Sequence, residues 1–141
     1  MSAASHIDED LVTALRARGQ RVTPQRLVLN RALRESRRHV TAEELQATVA
    51  DRLPGLSAPT VYATLELFEQ LGTVRRVPRP GADLWDPRRD RHHHLVCRSC
   101  GAVEDLDAGV NAAAALRAAR RHGFHPEASQ LTVSGLCSRC A

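Results

Sequence analysis

Apolar residues in the first half of the chain recur at helical spacing, and each run is bounded by a polar start signal and a glycine or proline stop. Leu11, Val12 and Leu15 share one face of a segment over 8–18, with acids at its start, Arg16 and Arg18 near its end and Gly19 behind it. That charge order suits the helix dipole. Thr23 ahead of Pro24 predicts an N-cap with proline at the first helical position. Leu27, Val28, Ala32 and Leu33 carry this second helix to about Ser36. Thr41-Ala-Glu-Glu44 is a capping box, and Leu45, Val49 and Leu53 form the apolar face of a third helix that Pro54-Gly55 ends. Ser57 caps a fourth, which turns Val61, Leu65, Phe68 and Leu71 inward and stops at Gly72.

Beyond Gly72 the period shortens to two. Residues 73–77 and 82–86 predict a hairpin around Pro78-Arg-Pro-Gly81. Third and fourth helices joined by a tight turn make a helix-turn-helix, and the hairpin behind it makes a winged helix. Residues 92–97 and 102–107 alternate as strands, 109–122 is an alanine-rich helix, and 130–133 is a last strand. The pattern predicts an α+β protein. A winged-helix DNA-binding domain over 1–85, with a hinge at about 82–92, precedes a small α/β domain over 93–141 whose open strand edge suits dimerisation.

Composition changes the picture in two ways. Aromatics are 3% of 141 residues, so the cores rest on leucine, valine and alanine, and a small second domain gains much from a metal staple. All 20 basic residues are arginine, and net charge is +4. Residues 11–38 hold eight arginines against the single acid Glu35, which reads either as a solvated face or as a phosphate-binding surface. The basic wing residues Arg75, Arg76 and Arg79 favour the second reading. Ser57, Ala58, Thr60, Tyr62 and Thr64 stand on the expected exposed start of the fourth helix, in reach of bases or phosphates. No apolar run is long enough to cross a membrane and the N-terminus carries no secretory pattern, so a cytoplasmic location is expected.

The chemistry concentrates in residues 86–105. Cys97-x-x-Cys100 and Cys137-x-x-Cys140 supply four thiolates in two pairs, the set that tetrahedral structural Zn2+ prefers. The gap of 36 residues between the pairs means that zinc ties the end of the segment back onto its first hairpin. Disulfides are disfavoured in a reducing compartment, and a redox pair wants one CxxC at a helix start. His92 and His94 fall on one strand face while His93 points away. Asp86 upstream, and Glu104 or Asp105 downstream, complete a nitrogen and oxygen shell that suits Fe2+, Mn2+, Co2+, Ni2+ or Zn2+. His6, His122 and His125 read as surface residues.

Five stretches resemble the ferric uptake regulator (Fur) family. They are Gln20-Arg-Val-Thr-Pro-Gln-Arg26, His39-Val-Thr-Ala-Glu-Glu44, Ser57-Ala-Pro-Thr-Val-Tyr-Ala-Thr-Leu65, His92-His-His-Leu-Val-Cys-Arg-Ser-Cys-Gly101 and Gly135-Leu-Cys-Ser-Arg-Cys140. The resemblance implies a dimeric, metal-dependent repressor of a two-fold symmetric DNA operator, and no enzyme; the other class considered is a small metallohydrolase. It assigns Cys97, Cys100, Cys137 and Cys140 to structural zinc, and His39, Asp86, His92, His94 and Asp105 to a regulatory ion. That ion is expected to be Fe2+ or Mn2+, with Zn2+ or Ni2+ as alternatives. His39 enters through the resemblance alone. DNA contacts are expected from Arg18, Gln25, Arg26, Ser57, Thr60, Tyr62, Thr64, Arg75 and Arg76. Aspartate at both 86 and 105 is similar to the peroxide-sensing (PerR) branch; sensing of iron, manganese, zinc or nickel itself is the alternative. Two departures stand out. Ala63 occupies a position where relatives commonly carry arginine or asparagine, and a third metal site is reduced to His93, with Arg91, Ala112 and Ser129 at its other positions.

Overall fold

Three of the predicted caps are made. In this computed structural model, which describes residues 3–88, 90, 92–107 and 110–141 (without the side chains of 3–5), Thr23 Oγ1 accepts from Arg26 N at 3.3 Å and starts α2 (Pro24–Ser36). α1 (Ala3–Ala17) precedes it and begins earlier than its apolar face implied. Thr41 Oγ1 accepts from Glu44 N at 3.0 Å while Glu44 Oε2 accepts from Thr41 N at 3.2 Å, so the capping box at α3 (Ala42–Val49) is reciprocal. Ser57 Oγ accepts from Thr60 N at 3.3 Å and opens α4 (Ala58–Gln70). α3 ends at Val49 rather than running to Leu53. Pro54 disfavours helix at the residue before it, and the chain leaves in a turn with Leu53 N donating to Val49 O at 2.8 Å.

The chain falls into two compact units, Met1–Pro78 with Ala82–Arg89, and Arg79–Gly81 with Asp90–Ala141. In the first, Leu11, Leu15, Leu29, Leu33, Leu45, Val49, Val61, Leu65 and Phe68 from the four helices are buried around one core. Each such side chain contributes on the order of 1.5–3 kcal/mol. The wing strands β1 (Arg75–Val77) and β2 (Leu84–Asp86) pair antiparallel, with Arg75 opposite Asp86 and Arg76 opposite Trp85. Trp85 belongs to the helical core and also forms a lone antiparallel bridge to Val40, just ahead of α3.

The second unit holds β3 (His93–Cys97), β4 (Val103–Leu106), α5 (Ala113–Arg121) and β5 (Thr132–Gly135), with sheet order β4-β3-β5. β3 runs antiparallel to β4 and parallel to β5. A parallel neighbour needs a crossover, which α5 provides. α5 starts later than the alanine-rich run predicts; Ala112 stands at its N-cap without a side-chain cap bond, and Asn111 Oδ1, one residue further out, accepts from Ala113 N at 3.0 Å, while residue 109 of the expected helix lies outside the described residues. β5 likewise starts two residues later than predicted, although Leu131 O already accepts from His94 N at 3.0 Å. The unit is thin. α5 buries no residue, and Phe124, Leu131, Val133 and Leu136 are exposed.

Candidate metal centres and DNA-facing surface

In the first unit the Val40–Trp85 bridge decides where two ligand candidates lie. Val40 N donates to Trp85 O at 3.1 Å and Trp85 N to Val40 O at 2.7 Å. An antiparallel bridge sets the next residues outward opposite each other, so His39 faces Asp86. His39 Nε2 lies 3.2 Å from Asp86 Oδ2. Asp86 is 1% exposed, and its other oxygen, Oδ1, accepts from Arg88 N at 3.0 Å. A carboxylate this deep needs such partners to remain ionised. The Arg34 guanidinium donates to the carbonyls of Thr73 and Pro87, clamping the chain before and after the wing. Asp86 is therefore held by the bridge, the wing ladder and Arg34 together.

In the second unit the β3–β4 register does the same work. His94 sits directly opposite Asp105, and His92, two residues back, shares its face. His92 Nε2 and His94 Nε2 lie 3.4 and 3.5 Å from the same Asp105 Oδ1. Both rings are buried and meet edge-on, with centroids 4.7 Å apart. His92 Nδ1 lies 2.9 Å from the Asp90 carbonyl. A carbonyl only accepts, so Nδ1 carries a proton and Nε2 is the ring nitrogen turned to Asp105. Glu104, the alternative to Asp105 in the sequence, pairs with Leu95 on the opposite face. Neutral imidazoles and carboxylates without thiolate suit a divalent first-row ion.

The four cysteine sulfurs all lie within 4.8 Å of one another and form no disulfide. Parallel pairing sets Cys97 beside Gly135, and Arg98 N donates to Gly135 O at 2.8 Å, so the second CxxC emerges next to the first. Sulfurs at about 2.3 Å from a tetrahedral Zn2+ stand about 3.8 Å apart. Cys100 Sγ and Cys137 Sγ are 3.8 Å apart. Cys97 Sγ accepts from Cys100 N and Cys137 N at 3.5 and 3.4 Å. These N–H groups pull the Cys97 thiol down to about 6, whereas hydrogen bonding with Cys137 pushes the Cys140 thiol up to about 11. The set fits zinc and leaves no position open for catalysis. Next to it Gly101 has φ +74°, and a Cβ there would meet Pro80 O at 3.1 Å; Arg79 donates to Gly101 O at 2.9 Å.

On the helical unit, Gln25 and Ser57 are exposed and Thr60 and Tyr62 half-buried. A groove of about 490 Å3 runs past Gln20, Gln25, Arg26, Thr60 and Ala63. Tyr62 Oη donates to Glu43 Oε1 at 2.8 Å, and this bond raises the phenol above its ordinary range. One expected exposed position is corrected, and a second has an added structural role. Thr64 is 8% exposed, and its hydroxyl donates to Thr60 O at 2.8 Å inside the helix. Arg76 stacks on Trp85, 4.9 Å from the ring centroid, with Glu66, Glu69 and Asp83 at 3.6–4.0 Å. It braces the wing while its side chain stays 35% exposed. The basic run over 11–38 is also partly internal. Arg31 pairs with Asp8 and Arg34 clamps the wing. Arg26 donates to Arg21 O at 2.6 Å. Arg18 donates to Gln70 O at 2.9 Å, at the end of α4 away from Ser57. Arg75 remains partly exposed on the wing.

The model of the Ferric uptake regulator family matches residues 17–134. The chain belongs to the ferric uptake regulator family. Ferric uptake regulation protein 1 of Mycolicibacterium fortuitum is 38% identical over 117 residues, spanning 82% of this chain and 72% of that protein. The peroxide-responsive repressor PerR of Staphylococcus saprophyticus subsp. saprophyticus is 28% identical over 141 residues, 99% of this chain and 95% of that one. The structure of the Helicobacter pylori ferric uptake regulator Fur superposes with a TM-score of 0.76 at 16% identity, over 99% of this chain and 94% of that one, which places the fold.

As a Fur-family member the chain is a transcriptional regulator and not an enzyme, so the metallohydrolase reading falls. Family members bind DNA operators, and this chain carries donor groups able to hold metal ions. Among the described residues no helix is long and apolar enough to cross a membrane. Of the reduced third Fur-family metal site, Arg91 lies outside the described residues, and His93 Nδ1 accepts from Leu131 N at 2.8 Å. Two polar partners escaped the sequence reading. Glu43 holds Tyr62, and Gln130 places Nε2 3.2 Å from His94 Nδ1. Only three-dimensional pairing brings them there, so no local pattern marks them.

Proposed function

We propose that this chain is a metal-dependent repressor that senses peroxide through Fe2+ held by His39, Asp86, His92, His94 and Asp105. It works in the cytoplasm as a homodimer on a two-fold symmetric operator, with Zn2+ at the four cysteines as a permanent staple. The observation that carries this reading is that each unit presents an incomplete donor set. His39 with Asp86 offers two donors, and His92 with His94 and Asp105 offers three. Neither fills the shell of Fe2+ or Mn2+, and together they come close.

With all five donors engaged by one ion, the winged helix and the sheet unit keep one relation instead of many. A two-fold operator accepts two winged helices in one arrangement, so ion and DNA select the same conformer and each raises the affinity of the other. Gln25, Arg26, Ser57, Thr60 and Tyr62 then address bases and phosphates, with Arg75 on the wing and Arg18 on the backbone. Bare apolar side chains on the thin second unit, Phe124 and Val133 among them, support its dimerisation. Aspartate at both 86 and 105, and a likeness to a peroxide-responsive repressor along 99% of the chain, support peroxide as the signal. Bound Fe2+ supplies the redox chemistry that makes peroxide reactive at its own ligands. One peroxide oxygen would enter a ring C–H bond of His39 or His92 and the other would leave as water, so the oxidised imidazole would donate more weakly and the DNA would be released.

Mass spectrometry after Fe2+ and dilute peroxide tests this. One added oxygen atom on the peptides bearing His39 or His92, absent with Mn2+, is the expected result. Loss of operator binding without histidine oxidation sinks peroxide sensing. In that case a metal requirement in gel shifts, restored by fresh Fe2+, points to the iron-sensing reading that the 38% identical ferric regulator favours. No shift with any divalent ion sinks both.

A further inference from the structure

The three consecutive imidazoles are each held at Nδ1 by a partner of different chemistry. His92 Nδ1 lies 2.9 Å from the carbonyl of Asp90, which can only accept. His93 Nδ1 lies 2.8 Å from the N–H of Leu131, which can only donate. The backbone thus fixes a proton on Nδ1 of His92 and a bare Nδ1 on His93. His94 differs. Its Nδ1 lies 3.2 Å from the side-chain amide of Gln130, a group with one accepting and one donating end. The His94 ring is itself fully buried, with Nε2 at 3.5 Å from Asp105 Oδ1.

Either end of the Gln130 amide can meet His94 Nδ1 at this distance. A donating amide demands a bare Nδ1, which leaves the proton on Nε2, where it points at Asp105. Nε2 cannot ligate an ion in that tautomer. A half-turn of the amide presents Oε1 instead, draws the proton to Nδ1 and bares Nε2 beside that of His92. We propose that Gln130 is a positioning residue of the regulatory site. The orientation of its amide selects the His94 tautomer and so sets how readily His92, His94 and Asp105 capture an ion. His92 is preset by backbone and His94 is adjustable by a side chain. This inference rests on the assignment of those three residues to the regulatory ion.

The test uses zinc-loaded full-length chain and Mn2+ as the probe, with Gln130→Met (similar length, no donor or acceptor to share) and Gln130→Glu (accepting oxygens at both ends). Gln130 is exposed at the surface, so neither change opens a cavity, and retained zinc content confirms folding. Partners that orient a ligating histidine typically govern affinity by about 10–100-fold. Gln130→Met is expected to weaken Mn2+ binding about tenfold, and Gln130→Glu to match or exceed the native affinity. Long-range nitrogen-15 correlation spectra of the Mn2+-free chain supply a second readout: His94 Nδ1 becomes protonated in Gln130→Glu while the His92 and His93 signals keep their tautomers. Native affinity in Gln130→Met, or a His94 tautomer unchanged across the three chains, overturns the proposal. His94→Ala separates the two levels. If it also leaves Mn2+ binding intact, the assignment of the site itself has failed.

Discussion

Replacing Arg76 by methionine separates bracing of the wing from contact with DNA. The Arg76 side chain is 35% exposed, stacks on Trp85 at 4.9 Å, and has carboxylate oxygens of Glu66, Asp83 and Glu69 at 3.6, 3.8 and 4.0 Å. A partly exposed cation–π contact is worth about 0.5–1 kcal/mol. Long, solvent-screened ion pairs add about 0.2–1 kcal/mol in total. Methionine retains most of the stem but leaves three acids clustered without their cation. The winged-helix unit should lose about 1–2 kcal/mol. Trp85 is the single tryptophan, so its fluorescence reports unfolding of this unit alone. With a urea slope of about 1–2 kcal/mol/M for a unit this small, the midpoint should fall by about 1 M. Operator affinity, measured well below that midpoint, should keep its salt dependence. Arg75→Ala, by contrast, should lower the slope of log K against log salt by about 0.9, the value of one phosphate contact. An unchanged urea midpoint together with a lowered salt slope in Arg76→Met would refute the bracing role and restore Arg76 to the DNA surface.

Thr41→Ala removes one half of the α3 capping box and should cost about 1 kcal/mol in the same urea titration. Glu43→Gln should lower the phenol pKa of Tyr62, the single tyrosine, because the carboxylate that holds its proton is gone; near-ultraviolet titration reads this directly. In the metal-free chain Cys97 ionises at about 6 instead of 9.0. Its depressed pKa contributes stability fully present above pH 9 and lost as pH falls through 6. Cys140, raised to about 11, has the opposite sign: its contribution is full below 9.0 and lost as pH rises through 11. Near neutral pH, zinc uptake should therefore release fewer protons than the four of an unperturbed set, rising toward four below about pH 6, as calorimetry in buffers of different ionisation enthalpy would show.

What the chain announced in advance was what local physics controls. Thr23, Thr41 and Ser57 cap their helices because a cap needs only three or four neighbouring residues. His92 and His94 share a face because strand alternation leaves no choice. Misreadings came where long-range pairing decides. Arg76 belongs to a basic wing in one dimension, and in three a tryptophan nine residues on takes its guanidinium as a stacking partner while it stays partly exposed. Thr64 was placed outside by its neighbours Thr60 and Tyr62, yet helical spacing aligns it with Val61, Leu65 and Phe68. The choice between Glu104 and Asp105 needed the register, and His39 needed its bridge to a strand forty-five residues away.

That bridge also bears on how the protein is made. Val40 and Trp85 bracket α3, α4 and β1, so closing them is a non-local event with the loop-closure cost that such contacts carry. His39 and Asp86 are strangers in a nascent or misfolded chain. They become a donor pair only once the whole winged helix has assembled around the core. An unfolded polypeptide therefore holds these two donors apart, forty-seven positions from each other along the chain. Their pairing is a product of the finished helical unit and not of any local segment.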